Sequence, residues 1–283
     1  MRRTVSRVDA STASIRIGPV VVQCEGDARA LGWLWPQHSA FRTGQHPDIT
    51  VRIALSETPL MGPSMPTAQR SDNGFELAYH GWRARLAGDH ADACIYAGPS
   101  APQRGPRRIS SLLRVLTQVI MRKSGIALHG ATLAHAGTGW VFVGERGAGK
   151  TTLASRYVLR PRLGDDYALL TLSNKGVEVH GTPYTGREGT PSEPGSLSLS
   201  ALVVLDQRPH LRVMRLPARE AYPLLLEHVI AADMTHEGVV NRMKMLEHLV
   251  RAVPVLRLSF RRDDAIWGAL LSAVTPIGSR SML

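Results

Sequence analysis

Apolar positions in this chain recur with a period of two at first and with helical spacing later, which predicts strands giving way to alternating strands and helices. "SIRIGPVVVQ" (14–23) and "DITVRIAL" (48–55) are rich in β-branched residues and read as strands. Between them "DARALGWLW" reads as a short helix, capped near Asp27 and stopped by Pro36. "TPLMGPSMPTAQRSDNG" has no periodicity and reads as a polar, proline-rich loop. "GFELAYHGWRARLAG" then alternates Phe75, Leu77 and Tyr79 with Trp82, Ala84 and Leu86 across a His-Gly step, which is hairpin periodicity. Residues 1–104 are therefore expected to form a mainly antiparallel β region packed on a core built from residues 105–283.

The second part opens on "RRISSLLRVLTQVIMRKSG", where Ile109, Leu112, Leu113, Leu116, Val119 and Ile120 share a helix face and Gly125 lies past the end. Strand "IALHGATLA", a turn at "HAGTG" and strand "WVFVG" follow, then a helix "KTTLASRYVL" and a hairpin "YALLTLSNKGVEVHG" turning at Asn174 and Lys175. "HGTPYTGREGTPSEPGS" is a long aperiodic stretch, which we read as a lid or substrate loop. The remainder reads as strand "ALVVLD", strand "LRVMRL", helices "AREAYPLLLEHVI" and "VVNRMKMLEHLVRAV", strand "VPVLRLSF" and helix "DDAIWGALLSAV". Strands interleaved with helices place this part in the α/β class.

Composition narrows the setting. Two cysteines, Cys24 and Cys94, cannot build a disulfide framework or a zinc site and read as ordinary thiols. No apolar run approaches the roughly 20 residues of a membrane span, and the basic start "MRRTVSRVDASTASIRIG" has no apolar segment after it. A cytoplasmic protein without membrane contact is the expectation. The net charge of +11 invites a nucleic-acid reading. The arginines are scattered, however, and the one dense stretch, "APQRGPRRISS", has no interleaved aromatics. That distribution argues for a nucleotide or an acidic peptide as partner.

One stretch names its chemistry. "WVFVGERGAGKTTLA" fits G-x-x-x-x-G-K-[ST], running Gly144, Glu145, Arg146, Gly147, Ala148, Gly149, Lys150, Thr151, Thr152 after an apolar strand and into a helix. Such a loop aims consecutive backbone N–H groups and a helix N-terminus at phosphates. Glycine serves where the backbone must approach them or take positive φ. Lys150 is one of four lysines in the chain and would reach the β- and γ-phosphates, with the Thr151 hydroxyl on magnesium. Asp165 and Asp166 lie in "RLGDDYALL", fifteen and sixteen residues past Lys150, enough chain for a helix and a return. Two adjacent carboxylates entering a strand can divide metal binding from deprotonation of an acceptor. His129, in "ALHGATL", precedes Lys150 by twenty-one residues on the strand whose hairpin partner feeds the loop.

His129-Gly130, "GERGAGKTT" and Asp165-Asp166 together resemble the HPr kinase/phosphorylase family. More closely, the chain looks like the HPr-kinase-like serine kinases of peptide-modifying clusters, lasso-peptide kinases included. Glycines at the first, fourth and sixth loop positions carry the resemblance, which spans roughly residues 105–274. It extends more loosely to "PDITVRIAL". The resemblance implies a P-loop kinase core related to phosphoenolpyruvate carboxykinase, using ATP and magnesium. It further implies Lys150 and Thr151 on phosphates and magnesium, Asp165 as the base for an acceptor hydroxyl, Asp166 on the metal side and His129 tuning Asp165. Arg187, in "GTPYTGR", is a further candidate for clamping the transferring phosphoryl group or a substrate carboxylate. The downstream loop serving phosphorolysis in HPr kinases is not found. The expected acceptor is a serine on a peptide or protein, a ribosomal precursor peptide by resemblance. A small-alcohol or sugar kinase and a nucleotide-binding regulator share these residues and stay open, as does a homo-oligomer, since HPr kinases are hexamers.

Overall fold

The computed structural model describes residues 11–35, 37–99, 101–145, 147–150, 153, 162–184, 192–206, 208, 210–261 and 264–274. They form two compact units, one comprising the chain up to Ile120 with Ala232–His236, the other Met121–Ala231 with the chain from Glu237.

The first unit is a mixed seven-stranded sheet. Its strands are β1 (Ser11–Ile17), β2 (Val20–Gly26), β3 (Ile49–Ser56), β4 (Thr67–Ser71), β5 (Gly74–Tyr79), β6 (Trp82–Ala87) and β7 (His90–Tyr96), in the spatial order β1-β2-β3-β7-β6-β5-β4. Pairings β2–β3 and β3–β7 are parallel and the other four antiparallel, so the expected antiparallel character holds for most of the sheet. Helix α1 (Ala28–Gly32) makes the β2–β3 crossover, with the Asp27 carboxylate accepting from the N–H groups of Arg29 at 2.8 Å and Ala30 at 3.4 Å, the capping the sequence implied. Residues 14–23, read as one strand, are a hairpin instead. Gly18 takes φ +60° and turns the chain within an apolar run whose continuity concealed the turn. The expected proline-rich loop likewise ends in β4. The 75–86 hairpin is as expected, with Tyr79 opposite Trp82 and Gly81 at φ +91°. Both cysteines are free, and burial pushes the Cys24 thiol up to about 12, leaving it inert.

Helix α2 (Ala101–Ile120) buries Ile109, Leu112, Leu113, Leu116 and Val119 and packs on β4, β6 and β7. The division therefore falls after this helix, whereas the sequence placed it at residue 104.

The second unit is a mixed ten-stranded sheet with helices on its faces. Its strands are β8 (Gly125–Leu128), β9 (Gly130–His135), β10 (Thr138–Val143), β11 (Arg162–Gly164), β12 (Ala168–Ser173), β13 (Gly176–His180), β14 (Ser196–Asp206), β15 (Arg212–Leu216), β16 (Val229–Ile230) and β17 (Val255–Ser259). Its helices are α3 (Ala218–Leu226), α4 (His236–Ala252) and α5 (Ile266–Val274). The long strand β14 joins two parts: Ser196–Ser198 pair with β13, while Leu202–Asp206 pair in parallel with β17 and β10 runs along the opposite edge.

Strand β10 explains the layering. Val141 and Val143 join Leu202, Val204, Leu225, Leu246 and Leu249 beneath α3 and α4. Trp140 and Phe142 join Leu153, Val203, Ile266, Trp267 and Leu270 on the other face. A strand covered on both faces needs an unbroken apolar sequence, and "WVFV" supplies it. Helix α3 stops at Leu226, before the expected end, because β-branched Val229 and Ile230 pair with Leu128 and Ala127 on the edge of β8. Of the helix expected after the phosphate loop, only Lys150 and Leu153 lie among the described residues. No helix of the described residues is long and apolar enough to cross a membrane.

Candidate functional site

The site grows from an interruption shared by neighbouring strands. Strand "IALHGATLA" is not continuous: β8 ends at Leu128, β9 starts at Gly130, and His129 occupies the gap. The neighbouring chain is interrupted too, between β11 and β12. Leu128 pairs with Ala168 and Thr132 with Gly164, so the two antiparallel ladders keep one register across the break. His129 and Gly130 must therefore face Asp165-Asp166-Tyr167. Two further strands meet there, since Gly130 pairs with Val143 at the mouth of the loop and Leu128 with Val229. The backbone N–H of His129 donates to the His228 carbonyl at 2.7 Å. A Cβ on Gly130 would lie 2.7 Å from the Phe142 carbonyl oxygen, which is why glycine follows the histidine.

The loop itself fits an anion. Gly147 and Gly149 take φ +86° and +102°, conformations that side chains disfavour. Gly144 serves by close packing, since a Cβ there would lie 3.0 Å from Ala148 Cβ and 3.1 Å from Leu205 Cβ. The N–H of Leu153 donates to the Gly149 carbonyl at 2.9 Å, a hydrogen bond of helical spacing. Lys150 Nζ donates to the loop's own carbonyls, Gly144 and, at 3.1 Å, Glu145, which holds the ammonium at the loop mouth. Burial draws its pKa down, and Asp166 opposes that shift. Positive-φ glycines, a lysine folded into the loop and a helix start are the donor set a nucleotide's phosphates require.

Asp165 and Asp166 are both half-buried. The resemblance attaches His129 to Asp165; in the structure its Nδ1 lies 3.3 Å from Asp166 Oδ1. The ladder register, which sets Asp166 opposite the His129-Gly130 step, is the reason. Asp166 thus faces both His129 and Lys150. Thr151, Thr152, Arg146 and Arg187 lie outside the described residues. A magnesium ion needs only one or two protein carboxylates when phosphates supply other ligands, so the aspartate pair fits it.

Four neighbours escaped the sequence reading. His228 is half-buried beside Lys150 and His129; desolvation first, then those two neighbours, lower its pKa, with Glu227 and Glu145 opposing. Only the β8–β16 pairing brings it here, and no spacing rule signals that. Phe260 rests on the loop, its Cζ 3.0 Å from where a Gly149 Cβ would stand. Thr182 donates to the Tyr167 carbonyl at 3.2 Å and its N–H to that of Leu163 at 2.9 Å. Tyr184 sets its ring edge-on to Tyr167 at 5.1 Å. These contacts tie the stem of the expected substrate loop to the aspartate turn.

No protein-family model matches this chain, and no curated protein matches it. Among solved structures, the Hpr(Ser) kinase/phosphatase from Coxiella burnetii aligns over 52% of this chain and 86% of its own, with 12% sequence identity and a TM-score of 0.27.

Proposed function

We propose that the chain is an ATP- and magnesium-dependent kinase that transfers a γ-phosphoryl group to a serine hydroxyl of a peptide or protein, with a ribosomally made precursor peptide as the substrate class. The carrying observation is the meeting of the G-x-x-x-x-G-K loop, Lys150, His129 and Asp166 at one strand interruption.

In this reading Lys150 leaves its own loop carbonyls to neutralise phosphate charge, and Thr151 with Asp166 would hold magnesium, which supplies further charge neutralisation on the phosphates. Asp166 suits that side because it lies at the loop mouth beside Lys150 and His129. Asp165 then takes the proton from the serine Oγ as the Oγ–Pγ bond forms and the bond from Pγ to the bridging oxygen of ADP breaks. Phosphoryl transfer needs little more than such positioning and charge compensation. The anchoring of Thr182 and Tyr184 at the aspartate turn supports a role for the segment that follows them in meeting an acceptor chain, with Arg187 as the candidate clamp.

Transfer from radiolabelled ATP to candidate peptides tests this reading. Phosphoserine should form with the unaltered protein, and Asp165→Asn should abolish it while nucleotide still binds. Transfer that survives Asp165→Asn, or transfer to small alcohols alone, would overturn the reading.

A further inference from the structure

We infer that the first unit carries a second ligand site, for a carboxylate borne on an apolar body, in the cavity between β1 and α1. The cavity encloses about 470 Å³, within the usual range of small-ligand sites. Leu31 and the half-buried Trp35 indole give it apolar walls, Ser14 and Thr43 give it hydroxyls, and among the described residues no acidic one lines it.

Arg42 is the one charged residue among the described residues that line it. The guanidinium lies 3.9 Å over the Trp35 ring, an arrangement that holds its plane and leaves its N–H donors directed away from the ring. Among the described residues the Arg42 side chain has no hydrogen bond and no ion pair. Arg108, stacked 5.0 Å from Tyr96, instead donates to the Tyr96 carbonyl at 2.6 Å. The Arg42 backbone is fixed as well: it bridges to Ile15, and the Thr43 N–H donates to the Ser14 carbonyl at 3.1 Å, so the cavity rim is tied to the sheet edge. A pre-oriented guanidinium with uncommitted donors matches a carboxylate in bidentate fashion. The indole and Leu31 select an apolar body beside it, which inorganic phosphate lacks. The ligand is either a free organic acid or the terminal carboxylate of a peptide ending in an apolar residue. Nothing in this inference depends on the phosphate loop.

The test follows the Trp35 indole N–H resonance by NMR while the full chain is titrated with phenylpropionate, with phenylpropionamide, and with a short peptide ending in phenylalanine. Phenylpropionate should give a saturable shift, the amide should bind about tenfold or more weakly, and Arg42→Gln should weaken the acid by about the same factor. Arg42 is exposed, so the variant should fold, and an unchanged melting temperature with unshifted indole N–H resonances of the buried Trp33 and Trp82 checks that it does. Tighter binding of the peptide than of the acid identifies a chain terminus as the natural ligand; equal or weaker binding identifies a free acid. Absence of a saturable shift with either probe, or equal affinity in Arg42→Gln, would overturn the inference.

Discussion

Replacing Gly149 by alanine adds one methyl group at φ +102°. An L side chain in so sparsely populated a region costs on the order of 1–3 kcal/mol. The new Cβ would also stand 3.0 Å from Phe260 Cζ; because that atom is the tip of a side chain, a small ring movement relieves the contact and the backbone term dominates. If the loop relaxes by rotating its own peptides, the N–H groups that face phosphate turn away. The loss then appears as weaker nucleotide binding, about 5- to 150-fold for that energy, with little change in melting temperature. If the loop is held rigid, the same energy lowers the melting temperature by about 2–4 °C per kcal/mol. Gly176 provides the control. It sits at φ +116° in the β12–β13 turn with open space around its Cβ position, so Gly176→Ala carries similar strain far from the loop's chemistry. Calorimetric titration with ATP and thermal melting of both variants should show nucleotide affinity falling in Gly149→Ala alone. Adding Phe260→Leu to Gly149→Ala should restore little, since backbone strain is the cause. Undiminished ATP affinity in Gly149→Ala, or an equal loss in Gly176→Ala, would refute the assignment of this loop to phosphate.

Asp166→Asn removes the charge that supports the Lys150 ammonium, so the lysine pKa should fall further and phosphoryl transfer should drop by about two orders of magnitude or more, read from radiolabel incorporation. Trp267 stacks on His135 at 4.0 Å and meets Trp140 and Phe142 edge-on; Trp267→Ala should destabilise the second unit by about 3–5 kcal/mol in denaturant melts. Burial lowers the His38 pKa from 6.5 to about 4, with a contact to the Leu34 carbonyl opposing. The folded state therefore takes up this proton later than the unfolded chain. The stability held by the neutral form is complete above 6.5 and is lost as pH falls toward 4, amounting to about 3 kcal/mol. Urea melts from neutral to acid pH should show this decline, and His38→Asn, which retains a donor for Leu34, should flatten it.

The parts that were legible in the sequence depend on neighbours close along the chain. The β5–β6 hairpin, the Asp27 cap, the Asn174-Lys175 turn and the glycine positions of the phosphate loop all follow from φ preferences and local hydrogen bonding. They could be read without knowing what lies across the sheet. Periodicity also identified the buried face of α2. It failed at Gly18, at β4 and at β16, where a turn or a sheet edge overrode local preference.

The sequence by itself picked out a G-x-x-x-x-G-K stretch ending in Lys150, and an aspartate pair and His129 as candidates to join it. Which aspartate meets His129 was decided by tertiary structure. Two ladders in common register, Leu128 with Ala168 and Thr132 with Gly164, set the histidine step against Asp166. His228 and Phe260 arrive beside the ends of strands β16 and β17, far along the chain, and the Trp35–Arg42 cavity forms only where α1 packs at the sheet edge. Long-range strand pairing carries no short-range signature, because the hydrogen bonds that fix it are made by backbone groups that every residue possesses.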